Sequence, residues 1–195
     1  MDVRGRTPSF NLEPLRPLSP LLDVAAELLV ANPSASLAEV AVAAGIGRTT
    51  LHKHYATRDE LIRAAGHRAL DRWEEAIDSV GEYGDPEQGL RALIDAMLMV
   101  GPQLTFLWRT PAFDHIDEIS RRWGAVEERC LAVLLRVQAA GLIAADVPSW
   151  WLLPACNSLI YSAKECVRTG YLAPRFATDM VLRTLLQGIG TPQTS

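Results

Sequence analysis

Apolar positions fall every three or four residues along most of the chain, and the alternation expected of half-buried strands is nearly absent. Leu21, Leu22, Ala25, Leu28 and Leu29 predict the inner face of a first helix. Ser19 stands as its N-cap, Pro20 as its first helical residue, and Asn32-Pro33 as its stop. Ser36 and Glu39 have the spacing of a capping box and open a short second helix, which Gly45 closes. Gly47 allows a further turn before a third short helix over 48–54. Thr57 and Glu60 repeat the capping box and open a long fourth helix. Along it Leu61, Ala65, Ala69, Trp73 and Ile77 form one apolar stripe reaching toward Val80, about 33 Å at 1.5 Å per residue.

Punctuation divides the rest. Gly81 to Gly84 ends the fourth helix, and Asp85, Pro86 and Gln88 start a fifth by the same capping logic. Gly101-Pro102 and Thr110-Pro111 bracket a sixth. A seventh is expected from near Asp114 to Ala140, irregular around Gly124 and stopped by Gly141. Ser149 caps an eighth running to Arg168, with Gly170 beyond it, and Pro174 opens a ninth ending near Gly188. Nine helices, no strand and no internal repeat predict an all-α protein.

Composition adds boundaries. Pro8, Pro14 and Pro17 make 1–18 an arm without regular structure, ahead of a three-helix unit at 19–60 and a larger helical region at 61–195. With 49% hydrophobic and 22% charged residues, 195 residues suffice for a core. No apolar run approaches the ~20 residues that span a bilayer, and the first residues lack the apolar stretch of a secretory signal. The expectation is a cytoplasmic chain with no membrane partner. Cys130, Cys156 and Cys166 are odd in number and far apart, so they build neither a disulfide framework nor a CxxC site.

The net charge of −4 hides a local reversal. Residues 45–58 contain Arg48, Lys53 and Arg58 and no acid, whereas the segments before and after are each net acidic. That basic island overlaps LAEVAVAAGIGRTTLHKHY, residues 37–55. Two short helices joined by a glycine turn, with small Ala41 at their crossing and Ile46 and Leu51 as anchors, fit a helix-turn-helix. Its second helix would expose Arg48, Thr49, Thr50, His52, Lys53 and His54, donors and cations suited to a major groove and its phosphates. Without the charge segregation, an ordinary corner of two helices with a solvated polar face explains the pattern as well.

The run Ala41-x3-Gly45-Ile46-x-Arg48-Thr49-Thr50-Leu51-x-x-His54-Tyr55-x-Thr57-Arg58-x-x-Leu61 closely resembles the DNA-binding signature of the tetracycline-repressor-like (TetR) family. Gln138-Ala139-Ala140-Gly141-Leu142 with Asp146-Val147-Pro148 resembles its penultimate connection, and Leu185-Leu186-x-Gly188-Ile189 resembles its closing helix. The resemblance implies an N-terminal helix-turn-helix unit followed by a helical ligand-binding and dimerisation domain. By the same resemblance, Thr50 and His54 approach bases or backbone, Arg48 and Thr49 stand at the exposed helix start, and Arg58 pairs with phosphate. Leu51 and Tyr55 match packing positions. Lys53 falls at a variable position, a candidate for specificity or a further phosphate contact. One departure is His52, where the family usually has a tyrosine; a histidine still donates to phosphate, with a pH-dependent charge.

Other constellations are weaker. His52 and His54 point in different directions on a helix, and His67 and His115 lack zinc-type spacing, so no metal is expected. No nucleophile elbow or phosphate-binding glycine loop occurs; neither an enzyme nor a bound cofactor is expected. The adjacent Glu127-Glu128 reads as a solvated pair. Large apolar groups crowd the middle of the chain. Met97, Phe106, Trp108, Phe113, Trp123, Asn157 and Tyr161 are the candidate lining of an effector pocket, which the resemblance implies lies here; most of the apolar ones also serve as core. Asp95, Arg109, Asp114 and His115 are further polar candidates. Leu182, Leu185, Leu186 and Ile189 make a stripe on the ninth helix. With Ala155 and Ser162 of the eighth, they are the candidate dimer interface that the resemblance implies.

The expected function is a homodimeric repressor released from a palindromic double-stranded DNA operator by a small apolar effector. Two other readings are a helical interaction protein using the ninth-helix stripe, and a small-molecule carrier or enzyme built around the same cavity.

Overall fold

The computed structural model describes residues 19–81 and 84–189, without the side chains of Ser19 and Ile189; the expected arm at 1–18 lies outside the described residues. Among the described residues there are nine α-helices and no strand: α1 Ser19–Ala31, α2 Leu37–Ala43, α3 Arg48–His54, α4 Arg58–Ser79, α5 Pro86–Met99, α6 Gly101–Trp108, α7 Asp117–Ala139, α8 Ser149–Arg168 and α9 Ala177–Ile189. Both capping boxes form, Ser36 with Glu39 and Thr57 with Glu60, each pair satisfying two otherwise unpaired N–H groups at a helix start.

The boundaries differ from expectation in several places, beginning with Ser19, which is already helical rather than the N-cap. Residues Pro111–His115 form a 3₁₀ turn, so α7 starts only at Asp117, and it runs through Gly124 without a break. That turn is held from a distance: Phe113 is buried against Phe106, ring centroids 5.4 Å apart, and lies where a Cβ on Gly66 would stand 2.7 Å from its ring. Ser149 is already helical, with Pro148 at the cap position. Pro174–Phe176 is a second 3₁₀ turn, leaving α9 to begin at Ala177. Asp85 caps α5 through the Glu87 N–H at 3.1 Å rather than through Gln88.

Three apolar clusters stack along the molecule. Ala25, Val40, Ala41, Leu51 and Leu61 knit α1, α2 and α3 to the start of α4. Ala26, Leu29, Ala69, Phe106 and Phe113 join α1 and α4 to α6 and the first 3₁₀ turn. The largest cluster, around Leu90, Leu93, Leu134, Leu152 and Leu185, holds α4 through α9. α4 serves all three, so the boundary expected at 60/61 falls inside one continuous helix. Ion pairs brace it: Arg122 of α7 reaches Asp71 at 2.6 Å and Glu74 at 2.7 Å, and Arg68 stands 3.7 Å from Asp23 of α1.

Candidate nucleic-acid interface and interior cavities

The turn between α2 and α3 is built locally. Gly45 sits at φ 66°, and the Ile46 N–H donates to Ala41 O at 2.9 Å while the Gly45 N–H donates to Val42 O at 3.0 Å. This is the Schellman pattern, which needs a left-handed residue and so favours glycine. It aims α3 away from α2 and drives Leu51, 0% exposed, into the first apolar cluster. With Leu51 inward, Arg48, Thr49, Thr50, His52, Lys53 and His54 are all exposed. Tyr55 is half-buried in the same cluster, and burial pushes its phenol above the usual range. Arg58 takes a different position. Its guanidinium turns back onto the α1–α2 turn, donating through Nε to Ala35 O at 3.1 Å and through Nη2 to Pro33 O. The residue singled out for phosphate is thus engaged in fixing the helix-turn-helix to α4.

The seven residues expected around an effector do not meet at one place. Trp108, Trp123 and Asn157 line a small cavity together with Trp73, Leu104 and Glu127. Met97 is core, with the Cys156 thiol 3.9 Å from its sulfur. Phe106 instead faces an open groove, Phe113 packs behind it, and Tyr161 is 46% exposed on the outside of α8. The interior cavity measures only about 10 Å³, no more than one water molecule. Trp108 and Trp123 meet edge to face there, 6.2 Å apart.

Glu127 is the residue that sequence reasoning misplaced. It is half-buried, and burial raises its carboxyl pKa above the usual carboxylate range, against a hydrogen bond from Trp123 that pulls the other way. It has no ion-pair partner among the described residues. The signal was present in the spacing: Trp123, Glu127, Cys130 and Leu134 follow one helical stripe, which leaves Glu128 outward. Cys130 and Cys156 are buried thiols pushed up to about 12, which makes them poor nucleophiles. A second, open groove of about 520 Å³ runs between the end of α1, the start of α4, the end of α6 and the first 3₁₀ turn, and takes in Arg109 and His115.

The interface candidates also divide. Leu182 and Leu185 are 5% and 1% exposed, consumed by the chain's own core, because α9 packs on both α5 and α8. Leu186 and Ala155 are half-buried and Ser162 is exposed; the Ile189 side chain lies outside the described set. The outward faces carry Trp151, Ser158 and Tyr161 on α8, and Met180 and Thr184 on α9. Asp95 accepts a hydrogen bond from Thr178 of α9, and Asp114 is exposed. No single helix among the described residues is long and apolar enough to cross a membrane, and no cluster of metal-ligating side chains occurs among them.

An exposed polar recognition helix, mounted through one long helix on an all-helical bundle with its own cavities, defines a helix-turn-helix transcriptional regulator. Residues 21–65 match the model of bacterial regulatory proteins, tetR family. The chain is 29% identical to the HTH-type transcriptional repressor LfrR of Mycolicibacterium smegmatis, over 89% of this chain and 91% of that protein. It is 28% identical to the HTH-type transcriptional regulator NfxB of Pseudomonas aeruginosa, over 90% and 95% respectively. The crystal structure of LfrR in complex with proflavine matches with a TM-score of 0.72 at 26% identity, covering 89% of this chain and 96% of that one. A second LfrR structure matches at 0.63 and 25% identity, covering 89% and 99%. Residues 21–65 thus carry a tetR-family DNA-binding unit, and over most of its length the chain is similar to TetR-like transcriptional regulators, a non-enzymatic class.

Proposed function

We propose that the chain is a ligand-responsive repressor that acts as a homodimer and leaves its two-fold operator when a planar aromatic cation enters the Trp73–Glu127 cavity. One observation carries the reading. α4 is unbroken from Arg58, which fixes the helix-turn-helix, to Trp73, which lines the cavity, about 22 Å along the axis. At about 10 Å³ the cavity is far below the ~300 Å³ that a drug-sized ligand needs. An occupant must therefore part the helices, α4 among them, and so binds the two conformations with different affinity, as a switch requires. The ligand class follows from the lining: indole faces attract a cation, and the unpaired Glu127 carboxylate supplies the counter-charge. LfrR, the relative crystallised with proflavine, supports the same class.

Arg48, Thr49, Thr50, His52, Lys53 and His54 read and hold the DNA in this reading, with Arg58 acting through the turn it braces. The dimer seam is formed by α8 and α9, with Ala155, Ser158 and Ser162 allowing close approach and Leu186 at its edge. Tryptophan quenching by proflavine, paired with release of a labelled upstream duplex, tests the assignment. Glu127→Gln is expected to weaken quenching about tenfold or more, the loss of a hydrogen-bonded charge, and to delay release by the same factor. Comparing the two proteins on one duplex cancels dye intercalation. Equal release from both would remove Glu127 from the ligand site, and quenching without release would remove the switch.

A further inference from the structure

The groove of about 520 Å³ is the larger of the two cavities described, and it is unlike the interior one in charge and in place. Its floor is apolar: Leu29 and Val30 from α1, Ile62 from α4, Phe106 from α6 and Ile116 beyond the 3₁₀ turn. Its rim is cationic. Arg58 and Arg63 stand on one side and Arg109 and His115 on the other, with Asp59 the one acid in the lining. In a chain of net charge −4 that balance is locally inverted. Arg58 is engaged with Pro33 and Ala35 carbonyls, but Arg63 and Arg109 have neither an ion-pair nor a side-chain hydrogen-bond partner among the described residues. Both are exposed at the mouth, so their charges cost nothing to keep and remain free for a ligand.

We infer that this groove is a second ligand site, for a compact organic anion: an apolar, aromatic-sized body on the floor with a carboxylate held between Arg63 and Arg109. A volume of this size lies inside the range of small-molecule sites. Guanidinium groups bind carboxylates by paired, charge-assisted hydrogen bonds, and an apolar floor lowers the dielectric around them. The site goes beyond the interior cavity and does not depend on it. Its walls come from the α1–α2 turn and α4 on one side and from α6 and the 3₁₀ turn on the other. Its occupant therefore touches the DNA-binding unit and the bundle at once.

Calorimetry on the full chain, without DNA, tests this with three probes of one shape: naphthalene-2-carboxylate, its carboxamide, and 2-naphthylmethylamine. The carboxylate is expected to bind at least tenfold tighter than the carboxamide, with the amine weaker still. Arg63→Ala combined with Arg109→Ala brings the carboxylate down to the carboxamide's affinity, and these exposed positions leave the fold intact by circular dichroism. Glu127→Gln leaves carboxylate binding unchanged, which separates this site from the interior one. Equal affinity for carboxylate and carboxamide, or no binding of either, overturns the proposal. So does strictly competitive, one-for-one displacement of the carboxylate by proflavine, which would put the anion in the interior cavity. If the double variant loses salt-dependent duplex affinity while still binding the carboxylate, the arginines are phosphate contacts and the inference fails.

Discussion

α3 and the Trp73–Glu127 cluster are two chemically loaded parts of the molecule built in opposite ways. α3 puts one side chain, Leu51, inside and leaves six polar ones outside, so its working surface exists before any partner arrives. The cluster turns its chemistry inward, narrows it to about 10 Å³ and leaves one carboxylate among indoles without a cation. A preformed surface binds by docking with little rearrangement. A collapsed site binds only by moving its walls. In the function proposed above, α3 is the reader and the cluster the sensor, and coupling between them requires a ligand that binds the two conformations with different affinity.

The largest effect is expected from widening the narrow site. Trp73→Ala removes a 2%-exposed indole from the middle of α4 and is expected to lower unfolding free energy by about 3–5 kcal/mol in urea titrations. A loss under 1 kcal/mol would mean that the cluster is loosely packed, and the contrast with α3 would fail. A smaller effect sharpens the other side. Lys53→Ala is expected to leave stability unchanged and to reduce the slope of log affinity against log salt by about one unit, on any duplex sequence. An unchanged slope would take Lys53 off the phosphate backbone. The smallest effect is a pH dependence. The Glu127 carboxyl pKa is raised in the folded chain from its ordinary 4.5, so the folded state favours the protonated form. Its contribution is intact below that ordinary value and is lost as pH rises through the folded one. Glu127→Gln should therefore match the wild type near pH 4 and exceed it in thermal stability at pH 7. A gap that widens on acidification would reverse the sign.

Much of the fold was legible because its signals are local. Two capping boxes, and the four left-handed glycines Gly45, Gly81, Gly141 and Gly170, mark helix ends within a few residues of themselves. The six exposed residues of α3 followed from one inward leucine and a short helix. The 3₁₀ turn at Pro111–His115 was not legible, because what holds it is Phe113 seated over Gly66, 47 positions earlier. Gly124 was read as an irregularity in the seventh helix, yet Trp123 and Val126 beside it are packed in the core and the helix continues evenly. The pocket list failed to converge for a similar reason. Large apolar side chains announce burial but not which neighbour they share it with, so Phe106 and Trp108, two residues apart, face different cavities.

The tight seat of Phe113 over Gly66 has a mechanical consequence. Gly66 lies eight residues from Arg58 and seven from Trp73, so it divides that stretch of α4 into arms of about 12 and 10 Å. Phe113 bears on the helix near its midpoint like a pivot under a beam. A rock of α4 about that point by about five degrees moves each end by roughly 1 Å in opposite directions. Arg58 hands its end's share to the carbonyls of Pro33 and Ala35, and so to the turn ahead of α2. In the proposed switch, a displacement at the indoles would be neither amplified nor damped on this route; it would be returned at nearly its own size with its sense reversed. Any side chain at position 66 would lift the beam off its pivot.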